Sequence, residues 1–139
     1  MTTVVIDCSV AICWCFDEQS TDFTAAALLQ VAQHTASAPA LLSLEIVNVL
    51  AMSRRKKGLT DSQLANYVTR LHRLHWELEP VDLTRSLGPI LELAQKHGLT
   101  SYDAAYLELA KRRALPLATL DRDLATAAQR EGVALFQAA

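Results

Sequence analysis

Short apolar runs alternate with longer stretches of helical periodicity along this 139-residue chain, and that alternation leaves few folds open. Residues 2–6, T-T-V-V-I, are mostly β-branched and predict a buried first strand ending at Asp7. Further strands are expected over 38–42, 76–81, 116–120 and 133–136. Helices are expected over 9–16, 22–35, 84–97, 102–113 and 122–131. Another runs from an N-cap at Ser43 to Lys57 and stops at Gly58. Asp61 is read as the cap of one more, whose Leu64, Tyr67, Val68, Leu71 and His75 form a single stripe. Gly98 should end the helix over 84–97, and Thr100 or Ser101 should cap the one after it. Strands separated by helices imply an α/β fold, with a mainly parallel sheet covered on both faces.

The length suits a single domain over residues 1–139, large enough to bury its own core. No apolar run approaches the roughly 18 residues needed to cross a bilayer. The N-terminus lacks a basic start and a small-residue cleavage site, so the cytoplasm is the expected compartment. Cys8, Cys13 and Cys15 are odd in number, crowded together and without further Cys or His at zinc-site spacing. They read as small apolar residues in a reduced interior. A net charge of -2 excludes a strongly basic non-specific nucleic-acid binder.

Four acids stand apart from this pattern. Asp7 is the only charged residue among 1–16, and Glu45 the only one between Asp22 and Arg54. Asp103 is alone between Lys96 and Glu108, and Asp121 closes the apolar run A-L-P-L-A-T-L. Carboxylates are rare in core-forming segments because an unpaired buried charge is costly. Asp7 and Asp121 follow expected strands, while Glu45 and Asp103 are expected in the first turns of helices. In an open α/β sheet such positions meet at the carboxyl edge, where ligands gather. Capping is the competing explanation: Asp7 or Ser9 in an Asx-turn or as the cap of the first helix, Asp121 as an N-cap, Asp103 at the positive end of its helix dipole. Glu45 fits capping worst, and Asn48 one turn later is a second polar oddity on the same face.

Several carboxylates around one cavity cannot all stay ionised without a counterion. A hard divalent cation such as Mg²⁺ or Mn²⁺ takes oxygen ligands and often meets a phosphate. The chemistry that fits is metal-assisted hydrolysis of a phosphodiester. No G-x-x-x-x-G-K-[ST], G-x-G-x-x-G or G-x-S-x-G motif offers a competitor.

In this order, V-V-I-D-C-S, P-A-L-L-S-L-E-I-V-N-V-L, L-T-S-Y-D-A-A-Y-L-E-L-A and L-P-L-A-T-L-D-R-D-L resemble the PIN-domain nucleases, in particular the VapC-type toxins of bacterial toxin–antitoxin pairs. The resemblance spans nearly the whole chain, with little that is diagnostic over 60–97. It implies a three-layer α/β/α domain and a Mg²⁺- or Mn²⁺-dependent endoribonuclease. Its acidic positions map to Asp7, Glu45, Asp103 and Asp121; of these, Asp7, Asp103 and Asp121 are expected to hold the metal, directly or through water, and Glu45 to bind a second ion or orient the attacking water. Asp123 is implied as an auxiliary acid, and Ser9 and Thr119 as supporting hydroxyls. An RNA substrate, a cognate antitoxin over the active-site groove and a homodimer are implied as partners.

Other features carry two readings each. R-R-K-K at 54–57 is either a cationic helix end or a phosphate grip. Lys111, Arg112 and Arg113 share that choice, and Arg122 either meets a phosphate or pairs with Asp121 or Asp123. His72 and His75 read as surface and stripe. Trp14, Trp76 and Tyr106 read as core, and Tyr102 as packed at its helix entrance, with base stacking as the alternative. Two rival functions are a metal-dependent phosphomonoesterase and a non-catalytic Mg²⁺-binding regulatory module. The first would want a D-x-D pair where Ser9 stands. The second would want a phosphoacceptor Asp after the third strand and a downstream Lys.

Overall fold

The computed structural model describes residues 3–138. Four strands, β1 (Thr3–Ile6), β2 (Thr35–Pro39), β3 (Trp76–Glu79) and β4 (Leu117–Ala118), form one parallel sheet in the order β3-β2-β1-β4. The helices are α1 (Cys8–Cys13), α2 (Asp22–Gln33), α3 (Leu41–Lys57), α4 (Asp61–His72), α5 (Leu83–Arg85), α6 (Leu91–His97), α7 (Ser101–Arg113) and α8 (Arg122–Arg130). Alternate strand residues feed opposite layers, as the two-residue period of a strand requires. Val5 and Leu117 join the core under α6, α7 and α8, while Val4, Ile6, Ala36 and Ala118 pack beneath α1 and α2. The α/β/α expectation holds. No helix among the described residues is long and apolar enough to cross a membrane.

Most helices stand where the periodicity puts them, and the glycine stops hold. Gly58 and Gly98 both end helices in the left-handed region, with φ of 66° and 64°. Thr100 caps α7 through its hydroxyl. The boundaries around β2 differ from expectation. That strand is Thr35–Pro39, not 38–42, and its run of small residues has little β propensity of its own. It is a strand because β1 and β3 pair with it on both sides. Leu41 and Leu42 therefore open α3. Ser43 lies inside the first turn, its hydroxyl donating to the Ala40 carbonyl at 3.0 Å instead of capping. Glu45 consequently falls in the second turn.

Other corrections follow local chemistry. Thr60, not Asp61, caps α4, in a reciprocal box with Gln63. His75 lies beyond the end of α4 and is exposed, and Val68 is 40% exposed, so the stripe narrows to Leu64, Tyr67 and Leu71 against Phe16 and Leu50. The helix expected over 84–97 is broken by a π turn at Ser86–Ile90, where Pro89 lacks an N–H and Gly88 leaves helical geometry. The strand expected over 116–120 shortens to β4. Residues 133–136 add only one bridge, Leu117 to Leu135, flanked by hydrogen bonds from Leu117 N–H to Ala134 O and Phe136 N–H to Leu117 O. Thr2, the expected start of the first strand, lies outside the described residues. Cys13 and Cys15 are buried and all three cysteines are free thiols.

Helix α7 is the centre of one layer: Ala104 through Ala110 are all buried. Its basic end is absorbed by structure. Arg112 meets Glu108 at 2.8 Å and Glu79 at 3.0 Å, and Arg113 reaches Glu79 and Ser37. Lys111, Lys96 and His97 converge on Glu131, whose side chain is 5% exposed. Those hydrogen bonds, the Lys111 one foremost, hold the Glu131 carboxyl down at about 2, below the ordinary 4.5. The stabilisation is therefore complete above about pH 4.5 and is lost as the pH falls towards 2. Glu131→Gln is expected to cost about 1–2 kcal/mol at pH 7, modest because both lysines are largely exposed. Urea unfolding of the two proteins should converge between pH 4.5 and pH 2.

Candidate active site

Strand β1 is central, and its pairing with β4 continues one step beyond both strands. The Asp7 N–H donates to the Ala118 carbonyl at 3.3 Å, which sets Asp7 beside Thr119. Asp7 as a whole is 3% exposed. One oxygen accepts from the Ser9 hydroxyl at 2.6 Å and from the Val10 N–H at 3.1 Å, and the other accepts from the Thr119 hydroxyl. Asp7 is thus the N-cap of α1 and the end of a network that ties β1 to β4. Ser9 Oγ also accepts the Leu120 N–H at 3.0 Å, and Thr119 Oγ1 accepts the Asp121 N–H at 3.0 Å. Both hydroxyls therefore shape the loop that carries Asp121. Asp121 in turn caps α8 by accepting from Leu124 N–H at 2.9 Å.

Asp103 lies in the first turn of α7, where its N–H donates to the Thr100 cap. Tyr106, one turn on, is 1% exposed and donates its hydroxyl to Glu45 Oε1 at 2.5 Å. Residues at i and i+3 share a helix face. The face of α7 that presents Asp103 therefore also holds Glu45, which comes from α3.

Like-charge repulsion links these side chains in sequence, Glu45 to Asp103 and Asp103 to Asp7 and Asp121. Burial raises the Asp7 carboxyl above its ordinary range, against the pull of the Ser9, Thr119 and Val10 hydrogen bonds, and the Asp121 charge adds to the rise. Burial likewise raises Glu45, where the Tyr106 hydrogen bond opposes it and Asp103 adds to it. Asp103 is pushed up to about 6, by burial first and then by the charges of Asp121, Asp7 and Asp123. Four acids from four separate stretches, with Asp123 beside them, thus repel one another at the carboxyl edge of the sheet. Among the described residues, no Lys, Arg or His forms an ion pair with any of the five.

Several neighbours also take definite places. Asn48 is exposed on α3. Cys8 is half-buried next to the acids, and burial with the charges of Glu45 and Asp7 pushes its thiol up to about 12, leaving it inert as a nucleophile. Arg54 in R-R-K-K closes its own helix end, with its guanidinium on Leu59 O at 2.6 Å and on Asp61 at 2.6 Å. Lys57 sits 5.6 Å from the centre of the Phe16 ring. Arg122 is exposed between Asp121 and Asp123 and, among the described residues, pairs with neither. Tyr102 is not packed at the helix entrance; it is 56% exposed. Sequence reasoning placed Tyr106 in the core and missed its hydroxyl. The only available signal was its spacing of three from Asp103.

A parallel α/β/α sheet with acids converging on its carboxyl edge defines the class, and the comparisons agree. The chain belongs to the PIN domain family, whose model matches residues 4–130. It is 35% identical over 85 residues to Ribonuclease VapC3 of Pyrobaculum aerophilum, a match covering 61% of this chain and 65% of that relative. The chain therefore spans just under two thirds of that curated relative. Two crystal structures share the fold at 20% identity. PAE2754 from Pyrobaculum aerophilum has a TM-score of 0.61 over 91% of this chain and 86% of its own. FitAcB from Neisseria gonorrhoeae has a TM-score of 0.65 over 96% of each.

The repulsion has a measurable consequence. Unfolded, Asp103 titrates near 3.8; folded, it titrates near 6, so the folded state binds more protons in that window. Without divalent cations, stability should rise as the pH falls from 6 towards 4. Asp103→Asn is expected to melt a few degrees higher than the unsubstituted protein at pH 7 in chelator, with the gain vanishing near pH 4. Differential scanning calorimetry checks both the sign and the window.

Proposed function

We propose that this chain is a metal-dependent endoribonuclease of the VapC type. The observation that carries the reading is the convergence of Asp7, Glu45, Asp103 and Asp121 without a cationic partner. The donor set fits Mg²⁺ or Mn²⁺: every candidate ligand is a carboxylate oxygen, and the mutual repulsion is what a divalent cation relieves. Among the described residues no three His, Cys, Asp or Glu side chains form a ready-made cage. That suits an ion which keeps several waters and takes only one or two carboxylates directly.

Asp7, Asp103 and Asp121 would hold the ion, directly or through water, with Asp123 adding charge beside them. When bound, such an ion polarises a phosphoryl oxygen, lowers the pKa of a coordinated water and stabilises the leaving oxygen. Ser9 and Thr119 aim Asp7 by donating to both its oxygens, and those bonds oppose the burial that favours its protonated form. Glu45, engaged at Oε1 by Tyr106, offers Oε2 to bind a second ion or to orient the attacking water. Attack in line on phosphorus expels the 3′ oxygen and leaves a 5′-phosphate and a 3′-hydroxyl. Arg122, exposed beside the acids, is placed to meet a flanking phosphate.

The same reading makes the chain a cytoplasmic toxin, restrained by a cognate antitoxin and working as a homodimer. Support comes from its likeness to Ribonuclease VapC3 and from the exposed apolar side chains of α3, Leu44, Val47 and Met52.

Cleavage of RNA by the purified protein should require Mg²⁺ or Mn²⁺ and stop in chelator. Asp7→Asn and Asp103→Asn should each lower the rate by about 100-fold or more while remaining folded. Product-end analysis should find 5′-phosphates; a 2′,3′-cyclic phosphate made without metal would refute the mechanism. Growth arrest on expression, relieved by co-expressing the neighbouring small open reading frame, tests the toxin role.

A further inference from the structure

Tyr106 carries a hydroxyl into a position where packing alone has no use for one. The ring is among the largest fully buried side chains, within an α7 segment whose residues from Ala104 to Ala110 are all buried. A phenylalanine would fill the same space. The hydroxyl instead spans the layer between α7 and α3 and ends on Glu45 Oε1 at 2.5 Å. Glu45 is half-buried, has a long side chain, and faces the like charge of Asp103. Left to itself, such a side chain would rotate towards water and away from the other acids.

We infer that Tyr106 is a positioning residue, a tether that holds the Glu45 carboxylate in the acidic cluster with Oε1 engaged and Oε2 free. The inference rests on the nuclease reading above and adds to it a residue that touches neither substrate nor ion. The tether works because its anchor is rigid. Tyr106 is fixed by the core on all sides and shares a helix face with Asp103, so Glu45 from α3 is registered directly against Asp103 from α7. A phenolic O–H has a single proton, which satisfies one carboxylate oxygen and cannot follow Glu45 elsewhere.

Tyr106→Phe deletes the hydroxyl and keeps the ring. Loss of a partner that orients a metal-site group typically costs about 10- to 100-fold in metal affinity or activity. Tyr106→Phe should therefore lose about that much in kcat for RNA cleavage, in Mn²⁺ affinity by isothermal titration calorimetry, or in both. KM for RNA should stay within about twofold, and thermal unfolding should show a folded protein. In a double-mutant cycle with Glu45→Gln, the second substitution should add almost nothing, because the tether then has no charge to hold.

Tyr106→Phe with unchanged kcat and Mn²⁺ affinity, beside an inactive Glu45→Gln, overturns the tether and leaves the nuclease reading standing. Fully additive losses also overturn it, since they assign the tyrosine a packing role independent of Glu45. A fully active Glu45→Gln instead overturns the site assignment, and the tether with it.

Discussion

The rest of the site depends on one buried carboxylate. Asp7 stands at the end of the central strand, almost wholly removed from water, and is kept there by Ser9, the Val10 N–H and Thr119. A buried carboxylate is tolerable only if its oxygens are satisfied, and here the donors come from both sides of a strand pair. Ser9 belongs to α1 and Thr119 to the loop after β4, so the satisfaction of Asp7 also joins the two halves of the chain. The loop that carries Asp121 takes its shape from the same two hydroxyls. Structure and chemistry therefore rest on one set of hydrogen bonds.

Around that anchor the fold assembles charges that oppose one another. The rest of the molecule handles acids conventionally: Glu131 gathers Lys96, His97 and Lys111, and Glu108 and Glu79 take Arg112. Among the described residues, the acids at the carboxyl edge meet without an ion-paired base. The contrast separates a stabilising cluster from one that costs stability, and sites of the second kind persist where function needs them. The Tyr106 hydroxyl belongs to the same economy of placement, because it keeps Glu45 where repulsion would not leave it.

Much of the architecture was legible from local pattern. The β-branched run before Asp7, the glycine stops and the helical periods all act through short-range physics, so they appear in the sequence unaltered. The failures lie where neighbours overrule propensity. Thr35–Pro39 is a strand because β1 and β3 flank it, and α3 begins two residues before Ser43 because Leu41 and Leu42 belong to the helix. Pro89 and Gly88 break a helix whose apolar period runs on regardless. Tyr102 illustrates the limit in the other direction: its position beside a helix start suggested packing, yet more than half of it stays exposed.

The candidate acids were picked out by the sequence alone, since an isolated Asp or Glu in an apolar stretch stands out without any structure. The alternation of strands and helices likewise settled the parallel sheet. Tertiary structure decided what those acids do to one another. Charges from positions 7, 45, 103 and 121 interact only because parallel strands end on a common edge and the Tyr106 hydroxyl of α7 reaches Glu45 on α3. It also decided that Tyr106, an ordinary core tyrosine by sequence, turns its hydroxyl to Glu45. Burial can be read from composition and period, whereas a hydrogen bond across 61 residues exists only once the chain has closed on itself.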